Sequence, residues 1–403
     1  MMFKIISFSM LTLIVSIVLI NYFGKFKIKH PFASLNVQEI IQEYGYPVEV
    51  HNVVTEDGYV LTLHRIPHGR ENLSRKRKPI LLLPGILQSA WDFVHRGPND
   101  SIAFILAEKG YDVWLGNVRG TTWSRKHTNL DPDKDKAFWD FTIHEIGVYD
   151  LPAFIDYVLE KTEQKSIHYL GYSQGTIAFF MMGSEKTDYL SKIKLMAALS
   201  PAFFMKDTKS PVLQFVTKNW RLLQGLLNFF NYQEVFGRGD LFTTYAQLIC
   251  HDENSILINL CINHMFSVFG YNYNELNKSM VPLTIANTPS GASLKQMIHA
   301  FQLMESGDFH RYDFGTEGNL EKYGQEQPPQ YNVSRVTTPV AIYYSSNDWA
   351  VNIDNIDRVL KSVPNVVKSY KVPLEDFNHL DFLYAKNVGD LLFNVLVDDL
   401  SKY

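Results

Sequence analysis

Short runs of apolar residues recur along the chain, and most of them end at or near a glycine. These runs are Ile80–Gly85, Tyr111–Asn117, Ile167–Tyr172, Leu195–Pro201 and Val340–Ser346. None alternates apolar with polar positions, which is typical of strands buried on both faces. Segments with helical spacing lie between most of them. The pattern therefore predicts an α/β fold, in which helices flank a mostly parallel central sheet.

Two regions depart from this alternation. Near the start, Glu56-Asp57-Gly58 separates two β-rich runs and predicts a hairpin. Between about residues 203 and 310 the chain is helical in tendency and rich in Phe, Leu and Met. We expect this region to be a helical insertion over the carboxyl edge of the sheet, where such sheets bind ligands. Additional core helices are the alternative. Residues 31–202 and 311–403 are expected to form the two parts of the α/β core.

The N-terminal residues indicate export. The segment Ile5–Phe23 is mostly apolar, carries no charge and follows Lys4, so residues 1–30 are expected to hold a signal peptide or signal anchor. Four Asn-x-Ser acceptors for glycosylation agree with this route: Asn72, Asn99, Asn277 and Asn332. We expect a secreted or lysosomal protein, with membrane anchoring through residues 5–23 as the alternative.

Composition narrows the class of protein. A chain of 403 residues with 46% hydrophobic residues can bury a large core. Its net charge of −4 does not favour binding to nucleic acid, which is itself negatively charged. The two cysteines, Cys250 and Cys261, are too few for a disulfide framework or a zinc cluster. Their short spacing and the expected export favour one local bridge, with two free buried thiols as the alternative.

A serine between two glycines stands at the end of one apolar run. The stretch Gly171-Tyr172-Ser173-Gln174-Gly175 precedes a segment with helical character. It matches a nucleophile elbow, a strained strand-to-helix turn that presents a serine at its tip. A tight turn with an ordinary surface serine is the alternative. The strand before it and the helix after it favour the elbow, and hence Ser173 as a nucleophile.

A nucleophilic serine needs a base, and the base needs an orienting carboxylate. The chain order for this architecture is serine, acid, histidine. Asp348 follows a late apolar run, and His379 lies in a loop after the final predicted strand. We therefore predict a triad of Ser173, Asp348 and His379. Asp376 and Asp381 are competing carboxylates, although they lie close to His379 in sequence.

An oxyanion hole requires two backbone amides aimed at the developing negative charge. One is expected from Gln174, the residue after the nucleophile, at a helix N-terminus. The other is expected from Ile86, in the loop after the run that ends at Gly85. This chemistry needs no metal ion and no organic cofactor, so none is expected.

Several longer stretches, taken together, resemble one known family. They include GYDVWLGNVRGTTWSRKH, HYLGYSQGT and FNHLDFLYA. From about Glu39 onwards the chain is similar to the acid lipases, the gastric and lysosomal group of α/β-hydrolases, and especially to their insect branch. The resemblance implies the same triad and the same two oxyanion amides. It also implies a helical cap and lid at about residues 203–310. One departure is Pro84 before Gly85, where the family usually has histidine; proline has no amide to donate.

The expected function follows from these assignments. We expect a lipase that hydrolyses acyl esters of lipids, of the triacylglycerol or cholesteryl ester type, at a lipid–water interface. A carboxylesterase for smaller soluble esters is one alternative. A catalytically silent lipid-binding protein on a lipase scaffold is another.

Overall fold

The computed structural model describes residues 28, 30–71, 77–237 and 241–403. Strands are numbered in chain order. They are β1 (Glu49–Val54), β2 (Val60–Ile66), β3 (Lys78–Leu83), β4 (Tyr111–Gly116), β5 (Ile167–Tyr172), β6 (Ile193–Leu199), β7 (Glu234–Val235), β8 (Ala292–Ser293), β9 (Val340–Tyr344) and β10 (Val366–Lys371).

An eight-stranded sheet forms the centre of the molecule, in the order β1-β2-β4-β3-β5-β6-β9-β10. The predicted hairpin is present, because β1 pairs antiparallel with β2. Strand β2 also runs antiparallel to β4, whereas the strands from β4 to β10 in this order are parallel. The predicted fold class is therefore confirmed.

Helices lie between the strands. They are α1 (Val37–Glu43), α2 (Ile102–Glu108), α3 (Ile143–Glu145), α4 (Leu151–Thr162), α5 (Gln174–Glu185), α6 (Pro211–Phe229), α7 (Leu241–Cys250), α8 (Ile258–Phe269), α9 (Val281–Asn287), α10 (Leu294–Ser306), α11 (Gly315–Tyr323), α12 (Ile353–Ser362), α13 (Asp381–Tyr384) and α14 (Asn394–Ser401).

The core lies on both faces of the sheet, and β3 shows how. Its residues Leu81 and Leu83 pack into one apolar cluster, together with residues of α4 and α5. Its residues Ile80 and Leu82 pack into a second cluster, together with residues of α2 and α14. Successive side chains of a strand point to opposite faces, so an uninterrupted apolar run serves both layers.

Helices replace the strand–helix alternation between β6 and β9. Helices α6 to α11 lie there, and β7 and β8 pair antiparallel as a two-stranded sheet that the sequence pattern did not predict. Two residues are too few for an apolar period to be visible. The sulfur atoms of Cys250 and Cys261 are 2.07 Å apart and bonded, which joins the end of α7 to α8.

The sites expected for export fall partly on described residues. The Ile5–Phe23 segment and Asn72 lie outside them. Of the other glycosylation acceptors, Asn99 and Asn332 are exposed and Asn277 is half-buried. Within the described ranges, no helix combines the length and the apolar character that crossing a bilayer requires.

Candidate active site

Ser173 occupies a sharp turn between β5 and α5. Its φ of 50° and ψ of −112° lie outside the regions that non-glycine residues favour, as expected for an elbow. Close packing explains the flanking glycines. A Cβ atom at Gly175 would lie 2.3 Å from the carbonyl oxygen of Leu83, and one at Gly171 would lie 2.8 Å from the backbone of Gly175. The turn therefore has no room for side chains at either position.

The three predicted triad side chains meet at the carboxyl edge of the sheet. His379 Nε2 lies 3.1 Å from Ser173 Oγ, and His379 Nδ1 lies 2.7 Å from Asp348 Oδ2. All three residues are buried. Because Asp348 only accepts when ionised, the ring proton belongs on Nδ1, which leaves Nε2 free to accept a proton from Ser173. The arrangement suits nucleophilic acyl transfer.

Asp348 has a hydrogen bond for each of its lone-pair positions. Its Oδ1 accepts from the backbone amides of Ala350 and Val351, at 3.0 and 2.8 Å. Its Oδ2 accepts from His379 and also from the hydroxyl of Ser200, at 2.6 Å. A buried carboxylate needs such partners, because burial without them is costly. The network fixes the carboxylate in one orientation.

The backbone and ring of His379 are held from two other sides. The buried hydroxyl of Tyr172 donates to the His379 carbonyl at 2.7 Å. Phe269, the last residue of α8, stacks on the imidazole with ring centres 5.7 Å apart and planes 11° apart. The Phe269 carbonyl also accepts from the His379 amide at 3.3 Å. The helical insertion therefore supports the histidine directly.

The two competing carboxylates have other environments. Asp381 Oδ2 accepts from the Asn378 amide at 2.8 Å and from the Asn272 side chain at 2.7 Å. Burial raises the pKa of Asp381 to about 7. Asp376 is exposed to solvent. The only carboxylate with a hydrogen bond to the His379 ring, among the described residues, is that of Asp348.

The loop after β3 passes beside the serine. A Cβ at Gly85 would lie 3.3 Å from Ser173 Cβ. Gln88 closes this loop, because its Oε1 accepts from the Gly85 amide at 3.0 Å. Gln174 begins α5, so its amide has no partner within the helix. Among the described residues, no turn or loop carbonyl accepts from the Ile86 amide. Within the described part of the chain, neither amide predicted for the oxyanion hole donates to a turn or loop carbonyl.

One segment, which leads into the first turn of α10, contacts both the loop after β3 and the elbow. The Ser290 amide donates to the carbonyl of Leu87 at 2.7 Å. The side-chain nitrogen of Gln296 donates to Gln174 Oε1, also at 2.7 Å. Ser293, Gln296 and Ser290 are all buried. Residues 290–296 therefore link the insertion to the residues on either side of Ser173.

The sequence interpretation did not identify Ser200 or Phe269 as parts of the site. Ser200 directly follows β6, one of the parallel strands that end at this edge, so its position was a usable signal. Phe269 gave no such signal, since one phenylalanine among many in a helical insertion carries no positional information.

The chain matches two family models. The partial α/β-hydrolase lipase region matches residues 37–97, and the α/β-hydrolase fold matches residues 78–386. This chain belongs to the lipase family of the α/β-hydrolases. Lipase 1 of Drosophila melanogaster is 40% identical to it over 92% of this chain and 80% of its own length. Human gastric triacylglycerol lipase is 36% identical over 94% of each chain.

Solved structures agree on the fold. A crystal structure from Sulfolobus solfataricus is similar with a TM-score of 0.58 at 16% identity, and covers 94% of this chain and 99% of that chain. A thermophilic esterase from Thermogutta terrifontis is similar with a TM-score of 0.50 at 12% identity, over 88% of this chain and 98% of that chain. Membership of the family thus rests on sequence, and the solved structures add the architecture.

Proposed function

We propose that this chain is a lipase that hydrolyses acyl esters of lipids through an acyl-enzyme on Ser173. The observation that carries the proposal is the continuous hydrogen-bonded path from Ser173 Oγ through His379 to Asp348. The relatives support the same activity, because they are named lipases, among them a gastric triacylglycerol lipase.

In the first half of the reaction, Ser173 Oγ attacks the ester carbonyl carbon while its proton moves to His379 Nε2. Asp348 stabilises the imidazolium that forms and keeps its Nδ1 proton in place. The negative charge on the former carbonyl oxygen is stabilised by the amides of Ile86 and Gln174. One such donor is worth about 10²–10³ in kcat. His379 then protonates the leaving alcohol.

In the second half, water attacks the acyl-enzyme. His379 accepts the proton of the water and returns it to Ser173 Oγ as the tetrahedral intermediate collapses. The fatty acid leaves, and the serine is restored. The original Ser173 proton thus leaves on the alcohol, and a proton from the water replaces it.

An apolar stripe on α6 favours a lipid surface over a soluble ester. Leu222, Leu226 and Phe229 are 64%, 49% and 81% exposed, and they follow one another at helical spacing. Phe230, just after the helix, is 72% exposed. Exposed apolar clusters of this kind mark contacts with lipids or proteins. The stripe lies in the insertion that the sequence predicts to be a cap and lid at residues 203–310.

The secretory route belongs to the same proposal. The bonded pair Cys250–Cys261 suits an oxidising compartment, and Asn99 and Asn332 are exposed acceptors for glycans. Secreted or lysosomal delivery agrees with the apolar N-terminal segment.

A probe of the serine tests the chemistry. A fluorophosphonate should label wild-type protein and not Ser173→Ala, and that variant should lose hydrolysis by about 10⁴–10⁶ in kcat. If the fluorophosphonate does not label wild-type protein, and wild type hydrolyses no ester, the chain is instead a catalytically silent lipid-binding protein.

A substrate panel tests whether the substrate is a lipid ester. Wild type should hydrolyse long-chain triacylglycerol or cholesteryl ester emulsions. The variant Leu222→Ser/Leu226→Ser/Phe229→Ser should lose emulsion hydrolysis and keep hydrolysis of a short soluble ester. Asn228→Ser, an exposed polar position on the same helix, serves as the control. Wild-type activity on short soluble esters alone would make the chain a carboxylesterase.

A further inference from the structure

Ser200 places a buried hydroxyl against two members of the triad. It directly follows β6 and is 1% exposed. Its Oγ lies 2.6 Å from Asp348 Oδ2 and 3.1 Å from His379 Nδ1. These three atoms form a closed triangle, since His379 Nδ1 and Asp348 Oδ2 are themselves 2.7 Å apart.

The backbone at Ser200 is strained. Its φ is +46°, in the left-handed region that non-glycine residues rarely occupy. The Ser200 amide continues the sheet by donating to the Tyr343 carbonyl at 2.9 Å. Such a conformation persists only where the surrounding structure enforces it, and it is found often at functional sites.

Counting protons assigns the direction of each hydrogen bond. An ionised carboxylate only accepts, so the single Ser200 proton is donated to Asp348. The Ser200 oxygen therefore presents a lone pair to His379 Nδ1. The Nδ1 proton then lies between two acceptors, Asp348 Oδ2 and Ser200 Oγ.

We propose that Ser200 is a positioning residue, the fourth member of a hydrogen-bonded unit with Asp348, His379 and Ser173. It fixes the rotation of the imidazole by holding Nδ1–H from a second side, so that Nε2 faces Ser173. It also donates a hydrogen bond to Asp348 Oδ2, which accepts the Nδ1 proton. This second donor weakens the hydrogen bond between His379 Nδ1 and Asp348 Oδ2. The proposal rests on the proposed function for its kinetic part, and its spectroscopic part is independent of activity.

Two variants separate the hydroxyl from the strain. Ser200→Ala and Ser200→Gly both remove the hydroxyl, but alanine keeps the Cβ that strains the left-handed backbone, whereas glycine relieves that strain. Ser345→Ala is the matched control. Ser345 is also buried and lies three residues from Asp348, and its hydroxyl has no hydrogen-bond partner among the described residues.

The kinetic expectation concerns a soluble short-chain ester, which avoids the lipid interface. Both Ser200 variants should lower kcat and kcat/KM equally, by about 10- to 100-fold, with KM unchanged. An equal loss in the two constants is the mark of an interaction that acts on the transition state. Ser345→Ala should stay within about twofold of wild type.

The spectroscopic expectation concerns the Nδ1 proton of His379, whose downfield proton resonance is assigned by its loss in His379→Gln. Without Ser200, Asp348 Oδ2 loses a competing donor and the Nδ1 proton loses its second acceptor. The bond between Nδ1 and Oδ2 should therefore strengthen, and the resonance should move downfield in both Ser200 variants. It should not move in Ser345→Ala.

Three results would overturn the proposal. The first is a resonance at the wild-type position in both Ser200 variants. The second is a kinetic loss in Ser200→Ala that Ser200→Gly does not share, which would trace the effect to backbone strain. The third is an equal loss in Ser345→Ala. A wild-type protein that the fluorophosphonate fails to label would count against the proposed function only, because the resonance test would still decide the role of Ser200.

Discussion

Asp381 should make the stability of the folded protein depend on pH in an unusual direction. Burial raises the pKa of this carboxyl to about 7, whereas an aspartate in an unfolded chain titrates near 4. Between those two values the folded state holds a proton that the unfolded state does not. The free energy of unfolding therefore rises as the pH falls from about 7 to about 4. A carboxylate with a lowered pKa would give the opposite sign.

Replacing Asp381 by asparagine removes this dependence with little change in shape. In wild type, Asp381 Oδ2 accepts from Asn378 and Asn272, and an amide oxygen can accept both bonds. One pH unit corresponds to about 1.4 kcal/mol, so a window of about three units corresponds to about 4 kcal/mol at most. We expect Asp381→Asn to be more stable than wild type at pH 8, and the two to converge near pH 4.

Denaturant unfolding of both proteins at pH 4.5, 6, 7 and 8 measures the difference. Comparing the two proteins cancels the contributions of other titratable groups to the pH dependence. One such group is Asp92, whose pKa is raised by burial to about 6. Asp376→Asn, an exposed change in the loop before α13, should leave the pH dependence of wild type intact. A difference between wild type and Asp381→Asn that stays constant from pH 4.5 to 8 would refute the reasoning.

Three further predictions concern two glycines and one covalent linkage. Gly175→Ala should lower the free energy of unfolding by about 1–3 kcal/mol and reduce kcat, because its Cβ would lie 2.3 Å from the Leu83 carbonyl oxygen. At Gly225, on α6, an added Cβ would have nothing within 4 Å, so Gly225→Ala should stabilise the protein by about 0.5–1 kcal/mol. Chemical denaturation measures both variants. A larger loss of unfolding free energy in Gly225→Ala than in Gly175→Ala would contradict both predictions. Replacing Cys250 and Cys261 by serine opens a loop of sequence separation 11 and should lower stability by about 3 kcal/mol, and an unchanged melting temperature would argue against it.

The strands that carry the site could be predicted because their signal is local. Apolar runs such as Ile167–Tyr172 are buried along their whole length. The carboxyl end of a parallel strand places the residue that follows it at one edge of the sheet. Ser173 and Asp348 each follow such a strand, so their meeting could be expected from topology alone. The role of His379 could be predicted because it lies in the loop after the last strand.

Orientation could not be predicted in the same way. Asp381 is two residues from His379 and Asp348 is thirty-one residues away, yet it is Asp348 that contacts the ring. Asp381 instead accepts from Asn378, in a local turn that the sequence does not distinguish from a triad contact. The contacts of Phe269 depend on how α8 packs over the sheet edge, which no period in the sequence encodes.

The hydrogen bonds from residues 290–296 limit how the site can admit a substrate. Ser290 donates to Leu87 and Gln296 donates to Gln174, so one short segment is bonded to both flanks of the predicted oxyanion hole. If the whole insertion swung away as a rigid flap, it would pull the pocket apart at the moment of substrate entry. The hinge of any opening motion therefore has to lie before residue 290, with α10 staying behind as a fixed wall.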